Sequence, residues 1–276
     1  MRVELADELQ RLEDEGRTGV LRVGDGEFHL ADGAIASATC ARTPGLDRLV
    51  VEAGVASAED WARAGTGDPG PLLDRPLLET LALLAVFDAA YFLLPTPVEP
   101  EFRPAPAHWL SAVCTVRPRA LVRECARRGD PDSGPWPAEL VDRAAVVPVR
   151  RIRRRRVLLT GSQAEVLAAA DNRRSVTGIA RDLGRTAYGC LEAVRDLTVA
   201  GLIEPPAGAP ASAAGSPAAD PAATADPAAT ADPAAAAEPP LRRRIRNATP
   251  VPEGDEWEPV DHELLTRLRA ALEDLA

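Results

Sequence analysis

At 276 residues, 46% of them apolar but only 4% aromatic, the chain has room for two modest cores plus tails rather than one large core. Its formal net charge of −10 is unevenly spread, with −9 on residues 1–149, +5 on residues 150–206 and −6 on residues 207–276. Such a balance excludes tight non-specific polyanion binding by the whole chain, and leaves one basic island whose local field attracts anions.

Glu4 to Glu15 sets Leu5, Leu9 and Leu12 on one helical stripe, with Gly16 placed as a left-handed stop. Three short apolar runs follow, Thr18–Val23, Glu27–Ala31 and Ala34–Cys40, separated by Asp25-Gly26 and Asp32-Gly33. Asp-Gly supplies the positive φ of two-residue hairpin turns, so this spacing predicts a three-stranded antiparallel meander. Leu46, Leu49 and Val50 predict a short helix ending at Gly54, and Ser57 is placed to cap another. Leu72 to Val86 reads as a buried helix stopped at Asp88, Ala90 to Leu94 as a strand, and residues 95–106, with five Pro, as an extended connection. A helix opening on Pro118 is expected to run to Arg128. The stretch Leu77–Leu94 is broken by Glu79 and Asp88 and falls short of the roughly 20 apolar residues of a membrane span.

The runs Thr18-Gly-Val-Leu-Arg-Val, Glu27-Phe-His-Leu-Ala-Asp-Gly-Ala-Ile-Ala, Leu78-Glu-Thr-Leu-Ala-Leu-Leu with Ala90-Tyr-Phe, and Leu121-Val-Arg-Glu-Cys-Ala-Arg-Arg resemble the PATAN-like domain of bacterial signalling proteins. The resemblance covers roughly residues 1–130. It implies an α+β protein-interaction and signal-input module, found beside receiver domains or near Roadblock-type proteins and small GTPases, and no catalytic residues.

Residues 131–149, rich in Pro, Gly and Asp, read as a linker. Beyond them, Thr160-Gly-Ser-Gln163 has the form of a capping box, which fixes the start of a helix carrying Val166, Leu167 and Ala170. Ser175 caps a second helix with Val176, Ile179, Ala180 and Leu183 inward and Gly184 at its end. Thr186 caps a third, with Ala187, Leu191, Val194 and Leu197 at helical spacing and Gly201 as its stop. Leu202 and Ile203 are expected to pair with Val157–Leu159. Two short helices joined by a Gly-containing turn and packed on a third form a helix-turn-helix, so residues 150–206 resemble winged-helix regulators, with the helix from Thr186 as the recognition helix. Pro205-Pro206 leaves no room for a wing.

Arg150, Arg151, Arg153, Arg154, Arg155 and Arg156 can contact phosphates, with Arg185, Thr186, Tyr188 and Arg195 near the groove. Against DNA, Glu192 and Asp196 would repel phosphate, and the arginines serve equally to solvate an edge strand or to bind the chain's own acidic parts. All 32 basic residues are Arg, so arginine number alone says little.

From residue 207 to 258 the composition falls to Ala, Pro and Asp, with a six-residue repeat that cannot bury a core, and a disordered linker is expected. Within it, Arg242 to Arg246 form a second basic run. Residues 259–276 then predict an amphipathic helix whose Leu264, Leu265, Leu268 and Leu272 would bind a partner surface.

Other chemistry is sparse. Cys40, Cys114, Cys125 and Cys190 lack metal-site spacing and are expected as free buried thiols. His29, His108 and His262 are far apart, and Trp61, Trp109, Trp136 and Trp257 are expected in packing roles. Gly24-Asp-Gly26 is a turn, since no Gly-Lys-Ser/Thr follows it. The N-terminus is acidic at once and lacks the apolar stretch of a signal peptide.

The sequence thus predicts an α+β chain: an N-terminal domain with a small antiparallel sheet (1–130), a linker (131–149), a helix-turn-helix module (150–206), a disordered linker (207–258) and an amphipathic helix (259–276). No cofactor, metal, catalysis or membrane contact is expected. The expected role is a cytoplasmic transcriptional-regulator-like protein with DNA and a protein signalling partner. The alternative is a scaffold in a small-GTPase/Roadblock or two-component pathway.

Overall fold

The computed structural model describes residues 4–150 and 157–206. Arg151, Arg153, Arg154, Arg155 and Arg156, the segment 207–258, and the helix expected over 259–276 with Leu264, Leu265, Leu268 and Leu272 lie outside the described residues.

The architecture is α+β. In chain order it comprises α1 (Leu5–Asp14), β1 (Gly19–Val23), β2 (Gly26–Ala31), β3 (Ala34–Cys40), α2 (Leu46–Glu52), α3 (Ala58–Gly65), α4 (Gly70–Leu73), α5 (Leu78–Leu93), β4 (Glu101–Pro104), α6 (Pro118–Arg128), α7 (Gly161–Ala169), α8 (Val176–Leu183) and α9 (Ala187–Val199).

The meander forms, with its second turn at Asp32-Gly33, both at positive φ; its first turn falls one residue earlier than expected, at Gly24-Asp25 with Gly24 at positive φ, and Gly26 already pairs with Val23 as the first residue of β2. Its inward residues alternate along the strands, Leu21 and Val23 on β1 and Phe28 and Leu30 on β2, and all four are buried. The fourth strand of the sheet is not the one expected at Ala90–Leu94. Within the Pro-rich connection, β4 pairs antiparallel with β1, giving the order β3-β2-β1-β4. Pro100 and Pro104 fit there because an edge strand needs no donor on its outer side.

The expected strand Ala90–Leu94 is instead the last part of α5, a single 16-residue helix packed across β3. Asp88 does not stop it. Leu72 belongs to the separate one-turn α4, because Pro76 interrupts the helical run.

The second difference concerns residues 131–149. Trp136, Val141 and Val146 are each fully buried, and Ala138 nearly so, in the same core as the sheet. The Trp136 indole Nε1 donates to Thr198 Oγ1 of α9 at 2.9 Å. This stretch is packed against the last three helices, where Val146 N also donates to Arg174 O at 2.8 Å. Residues 147–149 also take the pairing expected of Val157–Leu159: Val149 N donates to Leu202 O at 2.9 Å, and Glu204 N to Val147 O at 2.9 Å.

The caps of α7, α8 and α9 are those expected: Thr160 with Gln163 in a capping box, Ser175 accepting from Gly178 N, and Thr186 accepting from Gly189 N. These helices are not set apart, since all described residues belong to one compact unit. The Thr177 hydroxyl donates to Arg42 O at 2.6 Å, Thr177 N to Val141 O at 3.0 Å, and Arg181 to Ala41 O at 3.0 Å. At Gly184 (φ +60) the backbone is left-handed, and an added Cβ would lie 2.6 Å from Glu52 Cβ on α2. Gly184→Ala should therefore cost about 1–3 kcal/mol, from backbone strain and from pushing α8 off α2. Urea denaturation measures this, and a loss below about 0.5 kcal/mol would contradict the packing.

Candidate functional site

Of the residues expected to read DNA, Arg185, Thr186, Tyr188 and Arg195 lie on or just ahead of α9, whose N-terminus lies against α5. Asp88 of α5 is 1% exposed, and its two carboxylate oxygens accept from Ala187 N and Tyr188 N, each at 2.8 Å. A carboxylate placed there satisfies two orphan donors and meets the positive end of the helix dipole. Burial holds the Asp88 carboxyl up at about 6. The two backbone donors and the nearby Arg128 guanidinium oppose that rise.

The groups expected at the groove are mostly engaged internally. Thr186 spends its hydroxyl on the cap. Tyr188 packs edge-on against Tyr91 at 4.8 Å, with the Arg128 guanidinium 4.7 Å over its ring. Its phenol is pushed up by burial. Arg185 is half exposed and pairs with Glu165 at 2.6 Å. Arg195, expected on the outside, turns inward with its side chain only 12% exposed. It donates to the carbonyls of Pro131 and Trp136, to Tyr91 Oη and to Glu192. Arg150 is exposed at the end of the paired segment 147–149.

What α9 does show to solvent is the stripe Gly189, Glu192, Asp196 and Val199. The Glu192 side chain is 46% exposed and Val199 is 81% exposed. Asp196 is exposed too and accepts from Gln163 Nε2 at 3.0 Å. This surface is acidic and apolar.

A second surface was not anticipated. Leu77, the residue just ahead of α5, and Leu81 and Leu84 on it stand at i, i+4 and i+7, and Leu77 and Leu84 are 39% and 43% exposed. Leu81 and Leu84, together with Leu49, Ser162, Arg185 and Thr186, line a groove of about 230 Å³. Leu158 and Leu159, just ahead of α7, are also exposed. The sequence carried a signal for this: α5 is apolar all round, and such a helix needs cover on every side.

Two histidines distant in sequence meet in space. His29 and His108 lie 4.8 Å apart, and His108 stacks on Trp109, which meets Trp61 edge-on at 5.2 Å. Burial, then His29, pushes His108 down to about 4. Among the described residues no group of three His, Cys, Asp or Glu is placed to hold a metal. The four cysteines are free and buried, and burial raises each thiol, Cys114 and Cys190 to about 12. Among the described residues no helix is long and apolar enough to cross a membrane. The chain matches no protein-family model, no curated protein and no solved structure.

Proposed function

We propose that the protein is a non-enzymatic cytoplasmic signalling adaptor that works by binding proteins. In this reading residues 1–130 form a PATAN-like interaction module, as their sequence resemblance suggests. The helices α7–α9 form a helix-turn-helix built into that module rather than a free DNA reader.

One observation carries the reading: the solvent face of α9 presents Glu192, Asp196 and Val199, while its sole arginine, Arg195, is turned inward. A recognition helix must offer donors to base edges and approach phosphates, and carboxylates at that face repel them. The Asp88 cap adds to this by closing the end of α9 that regulators of this type direct into the groove.

The second reading is DNA binding through Arg150–Arg156, favoured by the charge of +5 on residues 150–206. A gel-shift of the full chain on genomic fragments, repeated with rising salt, separates the two. The adaptor reading predicts at most weak retention at low salt, lost on substituting the six arginines and unchanged by Glu192→Ala or Asp196→Ala. Phosphate contacts would give a slope of about −0.9 per contact in log affinity against log salt. Sequence-specific retention at physiological salt that either α9 substitution alters by about tenfold or more would sink the adaptor reading.

A further inference from the structure

We infer that His108 is a proton-operated latch: its neutral ring holds the segment 108–116 against the outer edge of β3, and proton uptake releases that segment. The inference goes beyond the adaptor reading and does not depend on it.

The latch begins as a cap. His108 stands ahead of the short 3-10 turn Trp109–Ala112, and its Nδ1 accepts from Leu110 N at 3.2 Å. A neutral imidazole has one donor and one acceptor nitrogen, so this bond assigns the ring's proton to Nε2. The turn that it starts is built into the core. Leu110 and Cys114 are each 1% exposed, and Val116 is buried as well. Ile35 N donates to Val116 O at 2.8 Å, and Val116 N to Ile35 O at 2.9 Å. β3 is an end strand of the sheet, so this bridge covers its outer side.

A proton taken up from solvent at Nδ1 reverses the contact. Both ring nitrogens then donate, and Nδ1–H confronts the Leu110 N–H, which loses its acceptor in a buried position. The new charge also lies beside His29, whose ring centroid is 4.8 Å away. The titratable and charged groups facing the ring are His29 and Glu27 of β2, with Arg22 of β1 behind them. Glu27 is shared between two other partners, Arg22 at 3.2 Å and His29 at 3.3 Å. Ser37 of β3, opposite His29, and the rings of Trp109 and of Trp61 on α3 carry no charge. Among the described residues no carboxylate is bonded to His108, so nothing there repays a buried cation.

Burial, then His29, holds the latched ring down at about 4, with Glu27 opposing. A ring freed to solvent returns to the ordinary 6.5, so a proton binds the released form roughly 300-fold more tightly than the latched one. The latch is whole above the ordinary histidine value and is lost as pH falls toward 4.

The test is amide exchange of the full chain, followed by NMR and corrected for the intrinsic effect of pH. Relative to Leu21 and Phe28 in the same sheet, protection at Leu110, Ile35 and Val116 should fall by about tenfold or more between pH 7 and pH 5. The ring nitrogen shifts of His108 should show the Nε2–H tautomer at pH 7 and a titration midpoint below 6.5, and His29→Gln should move that midpoint up. His108→Asn keeps a side-chain acceptor at the cap and does not titrate, so the three amides should stay protected at pH 5. His108→Ala has no acceptor and should loosen them already at pH 7. Asp88 is present in every variant, so its own titration cancels in the comparison. A His108 midpoint of 6.5 or above, or the same loss of protection in wild type and His108→Asn, would overturn the inference. So would His108→Ala amides as protected as those of wild type at pH 7.

Discussion

Trp136→Ala should cost about 3–5 kcal/mol of stability, the range for deleting a large aromatic from a packed core. The indole is fully buried, its Nε1 donates to Thr198 Oγ1, and its main-chain carbonyl accepts from Arg195. Removing it opens a cavity where residues 131–149 meet α9, beside the inward Arg195. Trp136→Phe keeps most of the apolar volume and loses one hydrogen bond, so it should cost about 1–2 kcal/mol. Urea denaturation of both variants measures the difference. A cost below about 1 kcal/mol for Trp136→Ala would mean that this segment is peripheral.

Asp88→Ala should cost about 2–4 kcal/mol, because it strands the buried N–H groups of Ala187 and Tyr188 at once. The residue also ties stability to pH. Burial holds the folded carboxyl up at about 6, above the ordinary aspartate value, so the folded chain binds this proton more tightly than the unfolded chain does. The stabilisation from that proton is complete below the ordinary aspartate range and is lost as pH rises through about 6. Asp88 therefore makes the wild-type chain less stable at pH 7 than at pH 4, by at most about 3 kcal/mol. Asp88→Asn does not titrate and should flatten that part of the curve. The comparison of wild type with Asp88→Asn cancels the other carboxylates. If the two curves run parallel from pH 4 to 7, the Asp88 carboxyl is not held as the structure places it.

What the sequence made legible was local. The caps at Ser57, Thr160, Ser175 and Thr186, the Asp32-Gly33 turn and the Pro118 helix start depend on residues within one turn of each other, and each formed where expected. What it concealed was contact across the chain. Asp88 looked like a helix stop because a carboxylate in an apolar run is costly to bury. It is buried because its partners lie 99 and 100 residues further on. Trp136 stands among Pro, Gly and Ser, so local composition indicated a linker although the side chain fills the core. Arg195 was placed at the surface as arginines usually are. Its spacing from Tyr188 and Leu191, at i, i+3 and i+7, already put it on a second inward face of α9. The exposed leucines of α5 went unnoticed for a related reason, since an all-round apolar helix says nothing about which side stays uncovered.

α9 is part of the α+β body, fastened at its N-terminus by Asp88. Native-state hydrogen exchange of Ala187 and Tyr188 tests it most directly. Their amides should exchange only through global unfolding, with a free energy within about 1 kcal/mol of that for Phe28 and Leu30 in the sheet. Exchange of these two amides through a local opening several kcal/mol cheaper, with the sheet still protected, would contradict the claim and return α7–α9 to the status of a separate module.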